Sequence, residues 1–168
     1  MTPKLSVDHL VLVTCQVEAT LAFYERVLGA QVRDVDEWRS GVVEYPVLHF
    51  GGFKFNVHPA DTSAEPRAAN PLPGTLDIAL RWNGDVASAE AHIRSHGVEV
   101  LVGPIPQEGA AGEAESVYFR DLDGTLIELI CYRPDDDKMK RPGGAAPAGH
   151  SAGEGFLGAV SAGSTEAR

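Results

Sequence analysis

The chain has 168 residues, 43% of them hydrophobic and 23% charged, which is enough for one globular domain with a packed core. A formal net charge of −10, with no local basic patch to offset it, disfavours nucleic acid or an anionic membrane as a partner. No apolar run approaches the roughly 20 residues of a membrane helix, and the opening residues lack a signal-peptide pattern, so the expected location is the cytoplasm. In that reducing setting Cys15 and Cys131 are expected as buried or partly buried thiols, not as a disulfide or a metal pair.

In chain order, residues 7–14 read as a strand. Residues 17–28 read as a helix, with Val17, Leu21, Tyr24 and Leu28 at helical spacing before Gly29. Extended segments are predicted over 30–34, 42–50 and 53–59, the last two joined by a Gly51-Gly52 hairpin turn. A linker rich in Pro, Ala and Asn fills 60–74. A second unit then repeats the order, with a strand over 75–82, a helix over 85–96 closed by Gly97, and strands over 98–101, 116–120 and 125–132. Asp121-Leu-Asp-Gly124 reads as the turn joining the last pair; it lacks the further acidic ligands of a calcium loop. From 134 to 168 a Gly/Ala-rich tail without periodicity is predicted to be disordered.

The two units carry a faint internal repeat. Arg26-Val-Leu-Gly29-Ala-Gln-Val32 reappears 68 residues on as Arg94-Ser-His-Gly97-Val-Glu-Val100, and the same offset places His9 on Asp77. Gly52-Phe-Lys-Phe-Asn-Val57 matches Gly124-Thr-Leu-Ile-Glu-Leu129, placing Asn56 on Glu128. Two copies of one supersecondary unit about a pseudo-dyad would turn these four positions toward each other. Strand alternation puts Phe53, Phe55 and Val57 on one face and Lys54, Asn56 and His58 on the other. Glu128 interrupts the apolar run Leu126-Ile-Glu-Leu-Ile130, where an unpaired carboxylate would cost several kcal/mol without a cation, a proton or a solvated cavity.

Asp8-His-Leu-Val-Leu12, Ala22-Phe-Tyr-Glu-Arg-Val-Leu-Gly29 and Tyr118-Phe-Arg-Asp-Leu-Asp-Gly-Thr-Leu-Ile-Glu128 resemble the vicinal oxygen chelate superfamily. That superfamily includes glyoxalase I, extradiol dioxygenases, methylmalonyl-CoA epimerase, fosfomycin-modifying enzymes and bleomycin-sequestering proteins. The segments Lys54-Phe-Asn-Val-His58, Pro71-Leu-Pro-Gly-Thr-Leu-Asp77 and Gly103-Pro-Ile-Pro-Gln-Glu-Gly109 are most similar to the group related to glyoxalase-domain-containing protein 5. The resemblance implies an α+β fold in which two paired βαβββ modules, about 5–60 and 75–133, form a half-open eight-stranded barrel over residues 1–133.

The resemblance further implies a divalent metal (Fe, Mn, Ni or Zn) with ligands on the first and last strand of each module. Transferred residue by residue, His9 and Glu128 match the pattern, Asp77 stands where histidine is common, and Asn56 replaces a carboxylate or amide donor. His58, two positions on, is the alternative ligand. His9, His58 and Glu128 would suit Fe(II), Mn(II) or Ni(II); His9, Asp77 and Glu128 would suit a harder ion such as Mn(II) or Mg(II).

Glu128, His58 and Tyr118 are the candidate proton-transfer residues, and Asn56, Lys54, Arg81 and Arg120 the candidate substrate contacts. Each has a structural alternative. His9 can bond Asp8, Asp77 can pair with Arg81 or Arg120, Asn56 and His58 can bond the linker, Tyr118 can be core, and the three cations can be solvated rim charges. His49, His92, His96 and His150 carry no assigned chemistry. The implied activities are a glyoxalase-like lyase or isomerase on a small oxygenated metabolite, an Fe(II) extradiol-type dioxygenase, or metal-free sequestration of a metabolite or drug. A homodimer is expected, because an open sheet presents edges to cover.

Overall fold

A computed structural model describes residues 4–133, so the predicted tail lies outside the described residues. The first module runs β1 (His9–Thr14), α1 (Val17–Leu28), β2 (Gln31–Arg33), α2 (Val35–Arg39), β3 (Val47–His49) and β4 (Lys54–Pro59). The second runs β5 (Asp77–Arg81), α3 (Val86–Ser95), β6 (Val102–Gly109), β7 (Gly112–Arg120) and β8 (Leu126–Tyr132). Helix α1 stops at Gly29, which adopts φ 67° and bonds its N–H to the Glu25 carbonyl, a left-handed cap that a side chain would resist. Helix α3 starts at Asp85, whose carboxylate accepts the Ser88 N–H at 2.8 Å. Among the described residues no helix is long and apolar enough to cross a membrane.

The strands form two four-stranded sheets, ordered β1-β4-β3-β2 and β5-β8-β7-β6. In each, the first strand is an edge strand that pairs in parallel with the last. The register makes the repeat physical: His9 lies beside Lys54 and Val11 beside Asn56, just as Asp77 lies beside Leu126 and Ala79 beside Glu128. Asn56 and Glu128 are therefore equivalent positions, as the sequence repeat predicts. The opposite faces of these strands bury Leu12, Phe55, Val57, Ile127 and Leu129 in one core shared with Tyr24 and Val27 of α1 and Ile93 of α3.

Polar contacts tie the modules across that core. His92 Nε2 donates to the Val27 carbonyl at 2.8 Å, and Arg26 reaches the His96 carbonyl at 3.0 Å. The Asp121–Gly124 turn does more than join two strands. Asp121 accepts from the Tyr24 hydroxyl at 3.0 Å and from the backbone N–H groups of Asp123 and Thr125, while Asp123 accepts from the Thr14 hydroxyl and the Cys15 N–H.

Three sequence expectations are corrected. Of the strand predicted over 42–50 only Val47–His49 pairs, and the short helix α2 precedes it. The strand predicted over 98–101 is a loop whose Val98 and Val100 pack on the core; pairing begins at Val102. Cys15 is exposed at the mouth of α1, whereas Cys131 is buried.

Candidate functional site

The inner face of the second sheet gathers a polar cluster on an otherwise apolar ladder. Tyr118 of β7 stands directly opposite Glu128 of β8. Two residues before Tyr118 and so on the same face, the fully buried Ser116 donates to Glu128 Oε1 at 2.5 Å. From the next strand, Gln107 Nε2 donates to the Tyr118 hydroxyl oxygen at 2.8 Å. Burial and then the neighbouring Glu128 carboxylate hold the Tyr118 phenol above its usual pKa, so the hydroxyl keeps its proton at neutral pH. On the other flank Ala79 offers only a methyl group beside Glu128, and the carboxylate stays half-buried rather than covered. The cluster thus joins a carboxylate that can accept a proton to a phenol that can give one.

The inner face of the first sheet carries a different set. His9 is half exposed, with Nδ1 2.7 Å from Asp8 Oδ1, and that bond holds the Asp8 carboxyl below its usual range. Asn56 and His58 are buried, yet Asn56 Oδ1 and His58 Nε2 have no hydrogen-bond partner among the described residues. Buried polar atoms are normally paired, so these two stand out on the sheet. The His58 ring stacks on Tyr45 with centroids 4.3 Å apart, and burial lowers its pKa against a smaller opposing effect of Glu44.

The remaining expected contacts divide. Arg81 lies over the Tyr132 ring at 4.4 Å, and Arg120 donates to the Gly124 carbonyl at 2.6 Å, which gives it a role within the turn. Lys54 is half-buried on β4 next to His9, and Asp77 is exposed on the edge strand β5. Among the described residues no three His, Cys, Asp or Glu side chains converge as a donor set for an ion. His9 and His58 belong to one sheet and Asp77 and Glu128 to the other. Within a single chain they do not fit a metal. A cavity of about 630 Å³ opens elsewhere, lined by Cys15, Trp38, Pro59 and Asp61 among others, and contains none of the residues above.

Sequence reasoning named Tyr118 and Glu128 but missed Ser116, Gln107 and Tyr45. Ser116 was within reach, because the two-residue period that selects Tyr118 also selects it.

Two βαβββ modules, each closing its sheet with the last strand against the first, define the glyoxalase-type fold. The chain belongs to the Glyoxalase/Bleomycin resistance protein/Dioxygenase superfamily, whose family model matches residues 6–129. It is 37% identical over 128 residues to the glyoxalase domain-containing protein RDO1 of Mycosarcoma maydis, covering 76% of this chain and 69% of that one. It is 34% identical over 126 residues to virulence protein STM3117 of Salmonella typhimurium, covering 75% and 83%. The crystal structure of STM3117 superposes with a TM-score of 0.71 at 32% identity, over 79% of this chain and all of that one. An integron cassette protein from V. cholerae gives the same TM-score at 33% identity, over 79% and 99%.

Proposed function

We propose that this chain is a cytoplasmic enzyme of the superfamily, a glyoxalase-like lyase or isomerase that moves a proton on a small oxygenated metabolite. The observation that carries this reading is the Tyr118–Glu128 pair. Glu128 takes a proton from a carbon adjacent to a substrate carbonyl, and Tyr118 gives its hydroxyl proton to the oxygen on which charge develops. Where that carbon bears a hydroxyl, Glu128 returns its proton to the former carbonyl carbon while the hydroxyl proton passes to the Tyr118 phenolate, so the carbonyl moves by one carbon and both residues regain their starting states.

The substrate's remaining polar groups are met by the unpartnered Asn56 and His58. These lie on the other sheet, so the working cleft is formed when the first sheet of one copy faces the second sheet of another, in a homodimer. The same pairing would bring His9 and Glu128 together as donors to a divalent ion, which would act as a Lewis acid when bound.

Elemental analysis of anaerobically purified protein, beside a His9→Ala/Glu128→Gln double variant, tests this. A stoichiometric ion lost in the variant supports the reading, with iron redirecting it to extradiol-type dioxygenase chemistry. No ion in either protein, even after reconstitution, overturns metal dependence and favours a metal-free metabolite-binding protein.

A further inference from the structure

We infer that Ser116 and Gln107 are positioning residues that assign the working atoms of the pair, Glu128 Oε2 as the oxygen that meets the substrate or ion and the Tyr118 O–H as the mobile proton. This rests on the proton-transfer reading above. Glu128 Oε1 is occupied by the Ser116 hydroxyl, and Ser116, at 0% exposure, has no solvent to turn to. One carboxylate oxygen is therefore fixed within the sheet, which sets the direction of the other, beside the Tyr118 hydroxyl. Beside it in the register stands Ala79, whose methyl offers the carboxylate no hydrogen bond.

Gln107 acts on the phenol in the same way. Its amide N–H fills a lone pair of the Tyr118 oxygen, which turns the O–H away from Gln107 and toward the strand that carries Glu128. Three adjacent strands thus supply one aimed carboxylate and one aimed hydroxyl, the precision that rigid elements give a site.

The test uses the full chain labelled with ¹³C at glutamate δ-carboxyl and tyrosine ζ positions, the Glu128 signal being assigned with Glu128→Gln. In Ser116→Ala the Glu128 signal should shift while the backbone amide spectrum holds, and Ser116→Thr, which keeps the hydroxyl, should restore it. In Gln107→Leu the Tyr118 signal should shift. A Glu128 signal unmoved by Ser116→Ala, or a Tyr118 signal unmoved by Gln107→Leu, overturns the inference; if Ser116→Ala fails to fold, the Gln107→Leu result decides. Addition of Mn(II) separates this from the wider reading. Shifts as expected with no Mn(II) broadening of Glu128 in the wild type would remove the ion and leave the positioning residues in place.

Discussion

The hydroxyl of Tyr24 in the first module donates to the carboxylate of Asp121 in the second at 3.0 Å. Burial and the two aspartates raise the phenol far above its usual pKa, so the hydroxyl remains a donor at alkaline pH. Tyr24→Phe should cost about 1–2 kcal/mol, because Asp121 keeps its backbone donors. Asp121→Ala should cost more, about 2–3 kcal/mol, by orphaning the Tyr24 hydroxyl and those N–H groups together. Urea unfolding followed by circular dichroism measures both.

Gly74 stands against the same turn. Its backbone has φ +70°, and a Cβ there would collide with the Asp123 carbonyl oxygen. Gly74→Ala should lower stability by more than about 1 kcal/mol, whereas Gly52→Ala, where a Cβ meets nothing, should be far milder. Thermal melts of the two variants make the comparison.

The two thiols should differ in reactivity. Burial pushes Cys131 up to about 11, so near pH 8 it is both protonated and inaccessible, while Cys15 is exposed. A chromogenic disulfide reagent should titrate one thiol in the native protein and two after unfolding. Two fast thiols in the native state would contradict the packing of β8.

His58 sets a pH dependence of stability. Burial depresses its folded-state pKa below the ordinary 6.5, so the unfolded chain takes up a proton first as pH falls. The stabilisation is complete above pH 6.5 and is lost as pH drops through the folded-state value. The melting temperature should therefore fall more steeply from pH 7 to pH 5 in the wild type than in His58→Gln.

Much of this fold was legible because its signals are local or repeated. The strand-helix order needed only periodicity, and the repeat announced that Asn56 and Glu128 are equivalent positions, as their registers beside Val11 and Ala79 show. Glu128 stood out as a charge in an apolar strand. Helix α2, at five residues, is too short for helical periodicity to register. Residues 98–101 alternate as a strand does, but the alternation reflects Val98 and Val100 docking on the core, and only Leu101 reaches β7, through its N–H to the Tyr118 carbonyl. The two-residue period places Ser116 on the face of Tyr118 but does not reveal its partner, and Gln107 carries no sequence signal of its own. Their roles depend on cross-strand registers, one of them shifted between Val102 and Ile105. The strands divide into two sheets, with His9 and His58 on one and Asp77 and Glu128 on the other.

The central claim is that the working cleft joins the first sheet of one copy to the second sheet of another. Mixing His9→Ala with Glu128→Gln under subunit exchange, and measuring Mn(II) binding by electron paramagnetic resonance, tests it most directly. Each variant alone should bind no Mn(II), and the mixture should recover about a quarter of wild-type binding, since half the dimers are mixed and each has one intact cleft. A mixture that binds no more than its components, while the wild type binds Mn(II), would contradict the two-copy site.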